Sequence, residues 1–187
     1  MITAIDKSTA LILIDLQNSI IASPLSHPVE DILNNANKLL EAFRKKSLPV
    51  FIVNVNPTGA KWTQTRKDAK PMTLPDNNDW YKITDKLHVA ESDIRITKHS
   101  WNAFFETALE DELKKRNVTG IVIAGISTSI GVEGTARAAS ERAYNISFVI
   151  DAMTDLQVEA HERSIKHIFP RMGETGRADE IIAALSK

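Results

Sequence analysis

Along this chain, short runs of apolar, β-branched residues alternate with longer stretches in which apolar residues recur every third or fourth position. The runs are ALILI ending at Ile14, PVFIVNV from Pro49, DIRITK ending at Lys98, GIVIAGI from Gly120 and ISFVIDA from Ile146. In all but DIRITK most positions are apolar, rather than every second one. That is the pattern of strands covered on both faces, which predicts a parallel sheet between two layers of helix. Between the runs, Val29 to Lys46 puts Ile32, Ala36, Leu39, Leu40 and Phe43 on one helical face. Ala103 to Arg116 does the same with Phe105, Ala108, Leu109 and Leu113, and Asn117 is a suitable stop because Asn tolerates a left-handed backbone. Strand–helix alternation with right-handed crossovers predicts a three-layer α/β/α, doubly wound, mostly parallel, Rossmann-like sheet.

The longest interruption runs from Asn56 through Trp80, where Pro57, Gly59, Pro71 and Pro75 exclude a continuous helix or strand. Loops of this length in a compact domain usually carry function. This one follows a strand and contains Lys61, Trp62, Arg66, Lys67 and Lys70, which suits a lid over an anionic, ring-bearing ligand. A solvated excursion or an oligomer contact accounts for the same residues equally well.

At 187 residues with 43% hydrophobic content, the chain has material for one α/β core, so residues 1–187 are expected to form a single domain. A net charge of −1 argues against nucleic acid, which calls for a clustered basic face. The N-terminal stretch has no basic segment ahead of its apolar run, and Asp15 interrupts that run too early for it to cross a membrane. A cytoplasmic protein acting on a small molecule is expected. There is no cysteine, hence no disulfide, no thiolate metal site and no thiol nucleophile.

In an open α/β sheet, ligands bind beyond the carboxyl ends of the strands. Asp15, Asn56, Lys98 and Ile126 all stand at such ends. Taken singly, Asp15 reads as a cap for backbone N–H groups and Lys98 as a solvated strand-end cation. Four strand ends directing groups toward one crevice form a stronger signal than any one of them.

The wording around these ends, LILIDLQNSI, ITKHSWNAFFET and IAGISTSIGVEGTARAA, together with VIDAMTD and HIFPRMGET, resembles the isochorismatase-like (cysteine hydrolase) superfamily over almost the whole chain. In that superfamily a strand-end Asp, a strand-end Lys and a Cys form the reactive centre. The resemblance assigns those places to Asp15, Lys98 and Gly131, so glycine stands where the amidases carry their nucleophile, as it does in the enol-ether-cleaving isochorismatases. It also implies a cis peptide at Ile126–Ser127 beside an oxyanion site at a helix N-terminus, substrate contacts from Gln17, Asn56, Trp101 and Phe104, and a homo-oligomer. Core packing is the commoner fate of such aromatic residues.

Ser127, Thr128 and Ser129 are displaced from the nucleophile's position by at least two residues, which turns them toward another helix face. The histidine-containing metal motif of the nicotinamidases has no counterpart in NVNPTGAKW, and His27, His88, His99, His161 and His167 form no i,i+4 pair, so no metal or other cofactor is expected. His161 and His167 read as surface positions of a late helix. The resulting expectation is an isochorismatase-type hydrolase of a small anionic metabolite, run by Asp/Lys acid–base chemistry. The alternative is a catalytically silent small-molecule binder of the same family.

Overall fold

The computed structural model describes residues 2–69 and 78–186. Its centre is a six-stranded sheet of β1 (Thr9–Ile14), β2 (Val50–Val55), β3 (Ile94–Lys98), β4 (Gly120–Ile126), β5 (Asn145–Thr154) and β6 (Glu174–Gly176). All pairings are parallel, in the order β3-β2-β1-β4-β5-β6. Helices α1 (Asn18–Ile21), α2 (Val29–Lys45), α3 (Leu109–Lys115), α4 (Glu133–Glu141), α5 (Val158–Arg163) and α6 (Ala178–Leu185) complete the chain.

Alternate residues of β1 serve opposite layers. Ala10, Ile12 and Ile14 join a core with Leu109 and Leu113 of α3 and Val132, Ala136 and Ala139 at α4. Leu11 and Leu13 join the other core, with Ile32, Ala36, Leu39, Leu40 and Phe43 of α2 and Ile181 of α6. The expected three-layer architecture is therefore observed. Covering both faces keeps every β1 side chain out of water, which is why its sequence lacks polar alternation.

Two local expectations are corrected. The helix expected from Ala103 begins only at Leu109. Asn102 Oδ1 accepts from the Phe104 N–H (2.7 Å), Thr107 Oγ1 accepts from the Leu109 N–H (3.2 Å), and Glu106 takes φ 53°. Short polar side chains thus capture the backbone groups that a helix would have paired, and Phe105 is left exposed instead of facing the core. The second correction is β6, whose three residues ETG are too short and too polar to stand out as a strand. Asn117 does end α3 in the left-handed region, at φ 53°. Among the described residues, no helix is long and apolar enough to cross a membrane.

Candidate active site

The strand order reverses direction between β1 and β4, and the first residues beyond their carboxyl ends meet there. Asp15 leaves β1 with φ 53° while its N–H still donates to Val53 O at 2.9 Å. Such a conformation costs an ordinary residue roughly 1–2 kcal/mol, and Asp is among the few that tolerate it. On the neighbouring strand, a Cβ at Gly125 would lie 2.1 Å from Ile14 O, so only glycine lets the two strand ends approach this closely.

Lys98 ends β3 and reaches across the end of β2 with its side chain 2% exposed. Its ammonium donates to Asp15 Oδ2 at 2.7 Å and to Ser100 O at 3.0 Å. Asp15 Oδ1 is buried and has no hydrogen-bond partner among the described residues. Burial pushes the Asp15 carboxyl up from 3.8 to about 6, against the pull of the Lys98 charge and hydrogen bond. The carboxyl is thus fixed through one oxygen and unpartnered at the other.

Gly131 lies beside this pair in the turn Thr128–Val132, which has π-helical pairing and leads directly into α4. A Cβ there would meet Ile14 Cγ2 at 3.0 Å and Asp15 Oδ2 at 3.2 Å, so a side chain would press on the carboxylate. The Ile126–Ser127 peptide just before the turn is cis. Asp155 anchors the turn: its Oδ2 accepts from the Ser129 N–H (2.7 Å) and hydroxyl (2.8 Å), and its Oδ1 from the Leu156 N–H (2.8 Å).

Behind the turn, Thr128 Oγ1 donates to Thr154 O at 3.0 Å and lies 2.8 Å from His161 Nδ1. His161 is consequently buried, a correction to its expected surface position, because the first turn of α5 faces this network; His167 is exposed as expected. Burial, and then the neighbouring His27 ring at 4.6 Å, hold the His161 pKa below its ordinary value.

Above the pair lies a cavity of about 360 Å³, at the small end of ligand pockets. Asp15, Gln17, Lys98, Trp101, Ile126, Ser127 and Gly131 all line it, together with Trp62, Trp80, Tyr81, Ile130 and Leu156. Trp62 comes from the turn Lys61–Gln64; its Nε1 donates to His99 O at 2.6 Å, and its ring meets Trp101 edge to face at 6.2 Å. Lys61, Arg66 and Lys67 do not line the cavity, and Lys67 Nζ sits 4.5 Å above the Trp62 ring and bonds to Trp62 O. Lys70, Pro71 and Pro75 fall outside the described residues.

Two expected substrate contacts, Phe104 and Asn56, are placed away from the cavity, and a third, Gln17, lines it with its amide engaged elsewhere. Phe104 is in the core against Tyr144, with the Arg142 guanidinium 4.9 Å above its ring, because the turns after Ser100 send Trp101 outward and Phe104 inward. Asn56 is not among the cavity's lining residues; its Oδ1 accepts from the Thr58 N–H at 3.1 Å, closing the turn after β2. Gln17 lines the cavity, but its amide is fully engaged. Nε2 donates to Val55 O and Tyr81 O at 3.0 and 2.9 Å, and Oε1 accepts from the Val55 N–H at 2.7 Å, tying the loop's far end to β2.

Trp80, Tyr81, Ile130, Leu156 and Asp155 escaped the sequence reading. An adjacent Trp–Tyr pair closing a long loop, and an acid directly after β5, were the available signals. Among the described residues, no three His, Cys, Asp or Glu side chains gather as a metal site would require.

The chain is thus an α/β protein with a doubly wound parallel sheet and a cavity at its switch point, the place where open α/β sheets bind ligands. Residues 9–180 match the family model described as the Isochorismatase domain, and the chain belongs to the isochorismatase family. It is 38% identical to the uncharacterized isochorismatase family protein YecD of Escherichia coli O157:H7 over 187 residues, covering 96% of this chain and 97% of that one. It is 36% identical to the uncharacterized family protein YwoC of Bacillus subtilis, covering 94% and 93% of the two chains. Among solved structures, an isochorismatase family protein from Burkholderia thailandensis superposes with a TM-score of 0.93 at 34% identity, covering 98% of both chains.

Proposed function

We propose that this protein is a hydrolase that transfers a proton from Asp15 to a small substrate and uses water, not a side chain, as the nucleophile. The observation that carries this reading is the asymmetry of the Asp15 carboxyl. Lys98 holds Oδ2, Oδ1 is buried with no hydrogen-bond partner among the described residues, and Asp15 lines the cavity. A carboxyl with its pKa at about 6 keeps a useful protonated fraction near neutral pH, the requirement for a general acid. Gly131 stands beside it where the resembling amidases place a thiol, and offers no side chain as nucleophile.

Chemistry of the enol-ether type, as in isochorismate hydrolysis, fits this pair. The proton on Oδ1 goes to the terminal methylene carbon, and the C=C electron pair forms the new C–H bond. Water adds to the resulting oxocarbenium carbon and returns a proton to Asp15. The hemiketal then collapses to a ketone and an alcohol, so one water is consumed and the acid is regenerated. Lys98 balances the Asp15 charge after transfer and keeps the carboxyl oriented.

Of the three hydroxyls Ser127, Thr128 and Ser129, the last two are committed to Thr154 and Asp155, which favours water as the nucleophile. The test is a screen of enol ethers, amides and ring ureides. On the substrate it identifies, Asp15→Asn should lower kcat by roughly 10²–10⁴, and intact-mass spectra during turnover should show no adduct. Full activity of Asp15→Asn, or an adduct on Ser127, Thr128 or Ser129, overturns the proposal.

A further inference from the structure

We infer that the cavity over Asp15, when that carboxyl is ionised, is selective for an uncharged ring compound with a small polar head and disfavours anions. The inference rests on Asp15 and Lys98 being the reacting pair, and it identifies the class of molecule that meets them. Among the described residues lining the cavity, Asp15 and Lys98 alone carry charge, and they are paired with each other at 2.7 Å. At pH 8, where Asp15 is ionised, an anion entering this space faces its carboxylate. The nearby ammonium is already bonded to Asp15 Oδ2 and Ser100 O.

Among the described residues, the loop cations that suggested an anionic ligand in the sequence do not supply a counter-charge. Lys61, Arg66 and Lys67 lie outside the lining, and Lys67 is held against Trp62. Charge brought into apolar surroundings without a partner is strongly disfavoured.

The walls also select for flat, apolar surface. All three tryptophans of the chain, Trp62, Trp80 and Trp101, line this one cavity, with Tyr81 beside them. Trp80, Trp101, Ile130 and Leu156 are exposed at the same time as they line it, so the entrance itself is apolar. Aromatic faces bind rings by offset and edge-to-face contact as well as by area. The polar head then has Asp15, which lines the cavity, as its partner.

Because every tryptophan reports on this cavity, intrinsic fluorescence measures binding without turnover. Titrations at pH 8 compare two ring probes that differ in charge, benzenesulfonamide and benzenesulfonate. The neutral probe should quench saturably with a Kd at least about tenfold lower than the anion's. Trp101→Ala, which leaves the charged pair in place, should weaken the neutral probe several-fold. In Asp15→Asn, where Lys98 loses its counter-charge, the anion should gain about tenfold.

Equal or tighter binding of benzenesulfonate to the unaltered protein overturns the inference, as does failure of both probes to bind. Ring binding with no Asp15-dependent hydrolysis sinks the catalytic proposal and leaves this one standing. Asp15-dependent hydrolysis of an anionic substrate alone does the reverse.

Discussion

Replacing Lys98 by Met removes the cation beside Asp15 while keeping an unbranched chain in the same space. In the native protein, burial raises the Asp15 carboxyl from 3.8 to about 6 even though Lys98 opposes the rise by charge and hydrogen bond. Roughly two pKa units at about 1.4 kcal/mol each give about 3 kcal/mol in favour of the protonated form. At pH 7 that raises the acid form from less than about one molecule in a thousand to roughly one in ten.

The folded-state pKa lies above the unfolded one. The stability contributed by this proton is therefore fully present below about pH 4 and lost as the pH rises through about 6. In Lys98→Met, burial acts without opposition, and the Asp15 midpoint should move further up. The carboxyl carbon of ¹³C-labelled aspartate, assigned by its disappearance in Asp15→Asn, follows the titration from pH 4 to 9 without any substrate. A midpoint at ordinary carboxylate values in the native protein, or a downward movement in Lys98→Met, refutes the argument that burial rather than the ion pair sets this group's acidity.

Gly131→Ala should destabilise the fold by about 1–3 kcal/mol through overpacking, since its Cβ meets Ile14 Cγ2 at 3.0 Å and Asp15 Oδ2 at 3.2 Å; an unchanged urea midpoint contradicts this. Asp155→Asn strips one of the oxygens that hold the Ser129 N–H, the Ser129 hydroxyl and the Leu156 N–H. A loss of about 1–3 kcal/mol is expected from the donors left unpaired, read by the same denaturation. His161 has a folded-state pKa below its ordinary value, so its neutral form stabilises the protein above about pH 6.5 and that stability is lost as pH falls below it. The stability gap between the native protein and His161→Gln should therefore narrow from pH 7.5 to 5.5, and a constant gap rules out a buried neutral imidazole.

The layered sheet is legible in the chain because burial on both faces leaves the central strands β1 and β4 almost free of polar residues, a local pattern that needs no knowledge of neighbours. The same locality places Asp15, Lys98 and Ile126 at strand ends. It does not bring them together: the Asp15–Lys98 bond joins positions 83 residues apart, and it exists because the strand order sets β3 two strands from β1, within reach of a lysine side chain. Within one motif, Trp101 faces the cavity and Phe104 the core, a division made by side chains that capture backbone groups in the turns between them. Gln17, Asn56 and His161 have residue types that suit a ligand as well as a neighbour, and the backbone or hydroxyl each meets in the fold decided which. The charge of the cavity likewise belongs to no segment of sequence. The loop holds several cations, but the one that reaches Asp15 comes from β3, because a cation's effect on a buried carboxylate depends on distance and shielding, which only the folded chain defines.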